Sequence, residues 1–226
     1  MRIKVYTMLT LDRSAVRALL PGATVALPIQ RGDLVADIRS GVHVVAMIDG
    51  AFEQSMAVSP SEVLAAIRAG VRVYGASSMG ALRAAELDQY GMVGYGRIYE
   101  QIKRSEVFRD DFLGQLFAVE GKRIRALSVT FTDFEFALLG LLGKGKITRK
   151  DTQLLLNHYR RLFYTDRHFP GIRKRLEDAG LSRLVRFARL ATDPRLSQKG
   201  ADAIGLLKKI RGDLKQTARL NRVINR

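Results

Sequence analysis

VHVVAMIDGAFEQ at residues 42–54 and VRVYGASSMGALRAAEL at 71–87 decide how this chain folds. Each begins with a short run rich in valine, and each run breaks at a glycine before a helical pattern begins. The apolar run at 42–48 does not alternate with polar residues. A strand of that kind is buried on both faces, as in a parallel sheet covered by helices.

Working outward, IKVYT at 3–7 and TVALPI at 24–29 read as two further strands. Segments of 3.6-residue periodicity lie at 12–20, 32–40, 59–69 and 79–88. The β-α-β-α order predicts an α/β fold, a small parallel sheet with flanking helices in the N-terminal half. After the glycine-rich connection GMVGYGRIYE at 91–100, the pattern turns helical at 130–143, 148–163, 170–179, 182–192 and 197–224, with Thr132, Thr148, Ser182 and Ser197 at expected N-caps. The expected division is an α/β core over 1–125, then a basic, all-helical region over 126–226 that packs on the core. The sequence contains no internal repeat and no low-complexity tract.

In open parallel sheets, ligands collect at the carboxyl ends of the strands, and both quoted junctions lie at such ends. At the first, Asp49-Gly50 presents a carboxylate at a tight turn, with Glu53 four residues on. Two carboxylates this close suit general acid–base work or a divalent cation; equally, Asp49 caps the turn. At the second, Gly75, Ala76, Ser77, Ser78 and Gly80 allow backbone N–H groups to approach an anion at the start of a helix. Ser78 stands where a nucleophile would, although the motif is neither G-x-S-x-G nor a phosphate-binding P-loop. Arg83 and Glu86, at i and i+3, either face this site together or form a surface ion pair.

Other candidates are sparser. Asp110 and Asp111 suggest a metal or amine site. His43, His158 and His168 lack metal-ligand spacing, and His43 reads as a core residue of its strand. HYRRLFYTDRHF at 158–169 mixes arginines with aromatics, as nucleic-acid and peptide grooves do, and as an ordinary half-buried helix does.

Composition narrows the chemistry. The 226 residues are 47% hydrophobic and include no cysteine. Disulfides, thiolate metal sites and a persulfide on the chain are therefore excluded. No apolar stretch reaches the roughly 20 residues needed to span a bilayer, and the N-terminus lacks a secretory pattern, so a cytoplasmic protein is expected. The net charge of +16 is uneven: residues 1–125 carry 16 Lys and Arg against 13 Asp and Glu, and residues 126–226 carry 22 against 9. Such a field attracts acidic proteins, acidic peptides or nucleic acid. Zinc-finger spacing and RNP-like aromatic motifs are both missing, which argues against nucleic acid.

The stretch IDGAFEQSMAVSPSEVLAAIRAGVRVYGASSMGALRAAELDQYGMVGYGRIYE, residues 48–100, closely resembles the core of TfuA-like proteins. The likeness rests on an I-D-G-x-F junction, on G-V-x-V-x-G-A-x-S-M-G-A-L-R-A-A-E-L, and on G-M-x-G-x-G-x-I-[FY]-E. Motif residues fall on Asp49, Gly50, Phe52, Gly75, Ser78, Met79, Gly80, Arg83, Glu86, Gly91, Gly94, Gly96 and Arg97. The acidic stretch that follows in the family corresponds to Asp110 and Asp111. This chain departs from the family at Ser59-Pro60, which replace an aromatic-His pair, so no histidine serves that junction.

TfuA-like proteins accompany YcaO enzymes in making backbone thioamides on ribosomally produced peptides and, in methanogens, on methyl-coenzyme M reductase. The resemblance implies a YcaO-type partner and a sulfur-supplying role: hydrolysis of the thiocarboxylate of a small ubiquitin-like sulfur carrier, with no cofactor. An acidic precursor peptide is a further expected partner. On that reading Ser78, or a water at its turn, attacks, and Glu86 or Asp49 is the base. Arg83 and the N–H groups of residues 78–80 stabilise negative charge, while Gly50, Phe52, Glu53, Gly75, Ser77, Met79, Gly80 and Arg97 bind the substrate. The alternative is a non-enzymatic adaptor that docks substrate and sulfur donor on the YcaO partner.

Overall fold

The computed structural model describes residues 1–51, 56–120 and 123–224. The chain divides into two compact units, Met1–Glu106 with Lys199–Arg226, and Val107–Gln198. The second is an insertion between two helices of the first.

In the first unit, β1 (Ile3–Tyr6), β2 (Thr24–Ala26), β3 (Val44–Met47), β4 (Arg72–Gly75) and β5 (Val93–Gly94) form one parallel sheet in the order β2-β1-β3-β4-β5. All four residues of β3 are fully buried, as its unbroken apolar run requires. The alternating residues Val5, Val44, Ala46, Ile48, Tyr74 and Ala76 share one face. They pack against Val16 and Leu20 of α1 (Arg13–Leu19) and its C-cap, and against Ala203, Leu206, Leu207 and Ile210 of α10 (Gln198–Ile224). The long last helix, which charge groups with the preceding helices, thus completes the first unit's core.

On the other face, Asp37 of α2 (Asp33–Arg39) accepts bonds from Lys4 Nζ and the Tyr6 hydroxyl, both at 2.6 Å. Burial, and then that carboxylate, push the Tyr6 phenol far above its ordinary range. α3 (Pro60–Arg68) starts at a capping box in which Ser59 accepts from the Glu62 N–H while Glu62 accepts from the Ser59 N–H. The Ser59-Pro60 departure therefore makes a strong helix start. α4 (Met79–Leu87) and α5 (Arg97–Arg104) follow β4 and β5. β5 lies within, and α5 begins within, the connection that the sequence shows only as glycine-rich.

The second unit opens with an antiparallel pair, β6 (Phe117–Glu120) and β7 (Arg123–Ala126), which the pattern did not announce. Four-residue strands carrying Glu120, Arg123 and Arg125 give little apolar alternation to read. Then come α6 (Phe131–Gly143), α7 (Arg149–Arg160), α8 (Phe169–Asp178) and α9 (Val185–Ala191). Thr148 caps α7 as expected, but α6 is capped by Thr130 rather than Thr132, whose hydroxyl instead donates to the Phe112 carbonyl. The core is built on Phe134, stacked on Tyr159 at 3.7 Å between ring centroids, with Leu138, Leu155, Ile172 and Leu176.

Candidate functional site

The sheet reverses its winding between β1 and β3, the position where open α/β sheets leave a crevice at their carboxyl edge. Asp49 stands there, 1% exposed, just beyond β3. Its carboxylate accepts four bonds: from the Thr7 hydroxyl (3.2 Å), the Leu9 and Thr10 N–H groups (3.0 and 2.7 Å) and the Thr10 hydroxyl (2.6 Å). All of these come from the loop after β1, which lies on the opposite side of β3 from β4. Asp49 therefore clamps the β1 loop rather than capping its own turn. Loop residues 7–10 carried no sequence signal beyond their place after a strand.

Gly50 extends the edge by a parallel bridge to Ile29. A Cβ on Gly50 would lie 2.5 Å from the Met79 side chain, so the β3 end and the start of α4 are in direct contact. Phe52 and Glu53 lie outside the described residues.

The β3–β4 register pairs Met47 with Gly75, which brings the β4–α4 turn to the same edge. Two glycines set the geometry: a Cβ on Gly75 would meet the Gly80 carbonyl at 2.1 Å, and one on Gly80 would meet the Met47 carbonyl at 1.8 Å. They are used for helix-to-strand backbone packing. Between them Ser77 takes φ +71°, a region that is costly for a side-chain-bearing residue. Its hydroxyl is fully buried and donates to the Lys199 carbonyl at 2.8 Å. In strand–turn–helix nucleophile elbows the strained residue carries the nucleophile. Here that hydroxyl is committed, and the available one is next door. Ser78, the N-cap of α4, is half-buried, and its hydroxyl has no partner among the described residues. The Met79 N–H is likewise unpartnered among them, and the Gly80 N–H makes only a long 3.4 Å bond to the Ile48 carbonyl. A second residue with positive φ, Met8 at +107°, sits in the loop held by Asp49. Both strained positions thus lie at carboxyl ends of strands, as expected where strain is kept for function.

Arg83 donates from Nε to the Val58 carbonyl at 3.0 Å and from one terminal nitrogen to both Glu86 oxygens at 2.9 and 2.8 Å. The pair forms, but Glu86 stands eight residues beyond Ser78, about 12 Å along the helix axis. That rise separates Glu86 from the Ser78 hydroxyl. Arg97 is exposed at the start of α5. The glycines of the 91–96 motif serve packing: Gly94 lies under the Tyr99 ring, and Gly96, at φ +100°, leaves room for Asp202 of α10. That carboxylate accepts from the Arg97 and Ile98 N–H groups at 3.1 and 2.9 Å, capping α5 where its dipole favours negative charge. Asp202 was not foreseen, because its partners lie a hundred residues away.

In the second unit Asp111 is paired with an arginine. Arg167, 1% exposed, donates to the Asp111 carboxylate at 2.6 Å and also to its carbonyl, and from Nε to the Leu162 carbonyl at 3.2 Å. Arg109 bonds the same carboxylate at 2.9 Å. Burial alone would raise the Asp111 carboxyl, yet the bonds from Arg167 and Arg109 outweigh it and hold it below the ordinary range. Arg167→Met should cost about 3 kcal/mol in urea unfolding, since it strips a buried fork from two carbonyls and a carboxylate. Because the folded-state pKa of Asp111 is lowered, its contribution is whole above the unfolded value of about 3.9 and disappears as pH falls through the folded value. Arg167→Met should therefore flatten the acid limb of the stability curve. A loss below about 1 kcal/mol would show that the arginine is dispensable.

Asp110 lies beside Asp111 in a 3-10 turn. His43 precedes β3 and is exposed rather than in the core; its Nδ1 accepts from the Arg2 N–H at 3.1 Å. Among the described residues, no group of three or more His, Asp or Glu side chains is placed to hold a metal ion, and no helix is long and apolar enough to cross a membrane.

The profile of the family described as TfuA-like protein matches residues 49–168, from the Asp49 junction through Ser78 and Arg83 to the Arg167 hub. No curated protein matches the chain. The family is associated with YcaO-dependent thioamidation. Matched over more than half of its length, this chain belongs to the TfuA-like family.

Proposed function

We propose that this protein supplies sulfur to a YcaO-type enzyme by hydrolysing the C-terminal thiocarboxylate of a small ubiquitin-like carrier protein. Water adds to the thiocarboxylate carbon, the C–S bond breaks, and carboxylate and hydrogen sulfide leave. The observation that carries this reading is the Ser78 hydroxyl at the N-terminus of α4, which, like the adjacent Met79 N–H, has no partner among the described residues. The positive end of the helix favours the anionic thiocarboxylate, and the N–H group is a donor for the developing oxyanion. Asp49 and Arg83 act as positioning residues, one fixing the loop at 7–10 and the other the backbone at Val58. The basic surplus of residues 126–226 suits an acidic carrier or precursor peptide.

A second reading, a non-enzymatic adaptor on the YcaO partner, is favoured by the commitment of the Asp49 and Glu86 carboxylates to other groups. Sulfide release from a thiocarboxylated carrier by the purified protein alone separates the two. Release above a no-protein control is expected. Release equal to the control, together with stimulated thioamidation by the YcaO partner, would establish the adaptor.

A further inference from the structure

Exposed cations on the helices of this chain usually face an acid four residues away. Lys209 pairs with Asp213 on α10 at 3.0 Å, and Arg104, Arg173 and Lys174 pair with Glu100, Glu177 and Asp178 on other helices. A second row on α10 breaks the habit. Lys208, Arg211, Lys215 and Arg219 follow one another at steps of three, four and four residues, which sets them along one side of the helix over about 17 Å. All four are exposed, and none is hydrogen-bonded or ion-paired to another described residue. The row contains no Asp or Glu, so like charges meet at i, i+4 and oppose the helix.

The position of the row follows from how α10 lies on the sheet. Its Lys199 carbonyl accepts from Ser77 at 2.8 Å, Asp213 accepts from the Tyr74 hydroxyl at 3.1 Å, and Thr217 accepts from Arg72 at 3.4 Å, so the helix runs antiparallel to β4. Ala203, Leu206, Leu207 and Ile210 are sealed in the core. The basic row lies roughly a third of a turn round from them, and exposed Ala201 and Ile204 continue it at the same spacing toward the carboxyl edge of the sheet.

We propose that Lys208, Arg211, Lys215 and Arg219 dock an acidic amphipathic helix of a protein partner, with carboxylates repeated at i, i+3 and i+4 and an apolar end resting on Ala201 and Ile204. A rigid row of cations at helical spacing is met best by carboxylates held at helical spacing, and the uncompensated charge steers such a partner in. A lipid surface would need the apolar stripe of α10, which is already buried in the core. Single-stranded nucleic acid is gripped through aromatic faces, and α10 contains no aromatic residue; Ala201 and Ile204 offer nothing to a phosphate. The docking surface rests on the charge of α10 and holds whether or not a thiocarboxylate is hydrolysed at Ser78.

Fluorescence anisotropy with the full chain tests it. The probe is a labelled alanine-based helical peptide with glutamates along one face and a leucine at one end of that face. The comparisons are a peptide of the same composition with its glutamates spread round the helix, and an oligothymidylate of equal charge. The one-faced peptide should bind about tenfold more tightly than the scattered one, and its binding should fall as ionic strength rises past about 0.15 M, where the Debye length is about 8 Å. Lys215→Gln combined with Arg219→Gln should weaken it roughly tenfold, since two exposed pairs are lost. Arg173→Gln combined with Lys174→Gln removes equal charge from a paired row of α8 and should change binding by less than about twofold. Circular dichroism checks that each variant is folded. No binding of the one-faced peptide, equal binding of the two peptides, or an equal loss in the α8 variant would overturn the proposal. Tighter binding of the oligothymidylate than of the one-faced peptide would overturn the assignment to a protein partner.

Discussion

Ser78→Ala is expected to lower sulfide release from a thiocarboxylated carrier by roughly 10²- to 10³-fold while the chain stays folded. That range fits a hydroxyl that orients water or the developing tetrahedral centre; a covalent nucleophile would cost several orders of magnitude more. The substitution removes an oxygen that has no partner among the described residues, so stability should barely change. Ser77→Ala is the informative contrast. It deletes the bond to the Lys199 carbonyl and leaves that acceptor buried, so its loss should appear first in stability, by about 1–3 kcal/mol. Glu86→Gln breaks only a half-exposed ion pair two helical turns from Ser78 and should alter release by less than about tenfold. Steady-state release by the purified variants checks all three. If Ser78→Ala released sulfide at the wild-type rate, the role assigned to that hydroxyl would be lost.

Gly80→Ala should produce the largest loss of stability of any single methyl addition in the first unit, about 3 kcal/mol or more. The new Cβ would stand 1.8 Å from the Met47 carbonyl oxygen. That oxygen belongs to the central strand and already accepts from the Ala76 N–H at 3.1 Å, so it cannot withdraw without breaking the β3–β4 edge. α4 would have to lift from the sheet and carry Ser78 with it. The variant should lose sulfide release along with its melting temperature. Gly212→Ala in α10 supplies the control: nothing lies within 4 Å of the added Cβ, and the replacement should gain up to about 1 kcal/mol of helix propensity. Equal melting temperatures for Gly80→Ala and the wild type would show that the helix and strand are not in backbone contact.

The local chemistry of these junctions explains why much of the fold could be read from the chain. Strand β3 is an unbroken apolar run because both faces are covered, and α3 begins where Ser59, Pro60 and Glu62 spell out a capping box. The two junctions at Asp49 and at residues 75–80 were legible as strand-to-helix turns, since small residues gather there, and Gly75 is demanded by the Gly80 carbonyl only five residues away in sequence. Periodicity also gave the amphipathic stripe of α10, through Ala203, Leu206, Leu207 and Ile210.

Which surface that stripe covers was settled by the tertiary structure, because the sheet it seals is made of strands more than a hundred residues earlier. The same distance hides the partners of the key polar groups. Asp49 looks like a catalytic carboxylate until Thr7, Leu9 and Thr10, about forty residues upstream, are found to use its lone pairs. Ser77 and Ser78 are indistinguishable as neighbouring letters. Only the backbone strain at one, and the Lys199 carbonyl that holds its hydroxyl, set it apart from the other, which has no partner among the described residues. The sequence by itself determined where strands end and small residues gather, because these follow from local sterics and burial patterns. The assignment of each hydroxyl and carboxylate to structure or to chemistry needed the folded chain, because a hydrogen bond depends on distance in space rather than on separation along the sequence.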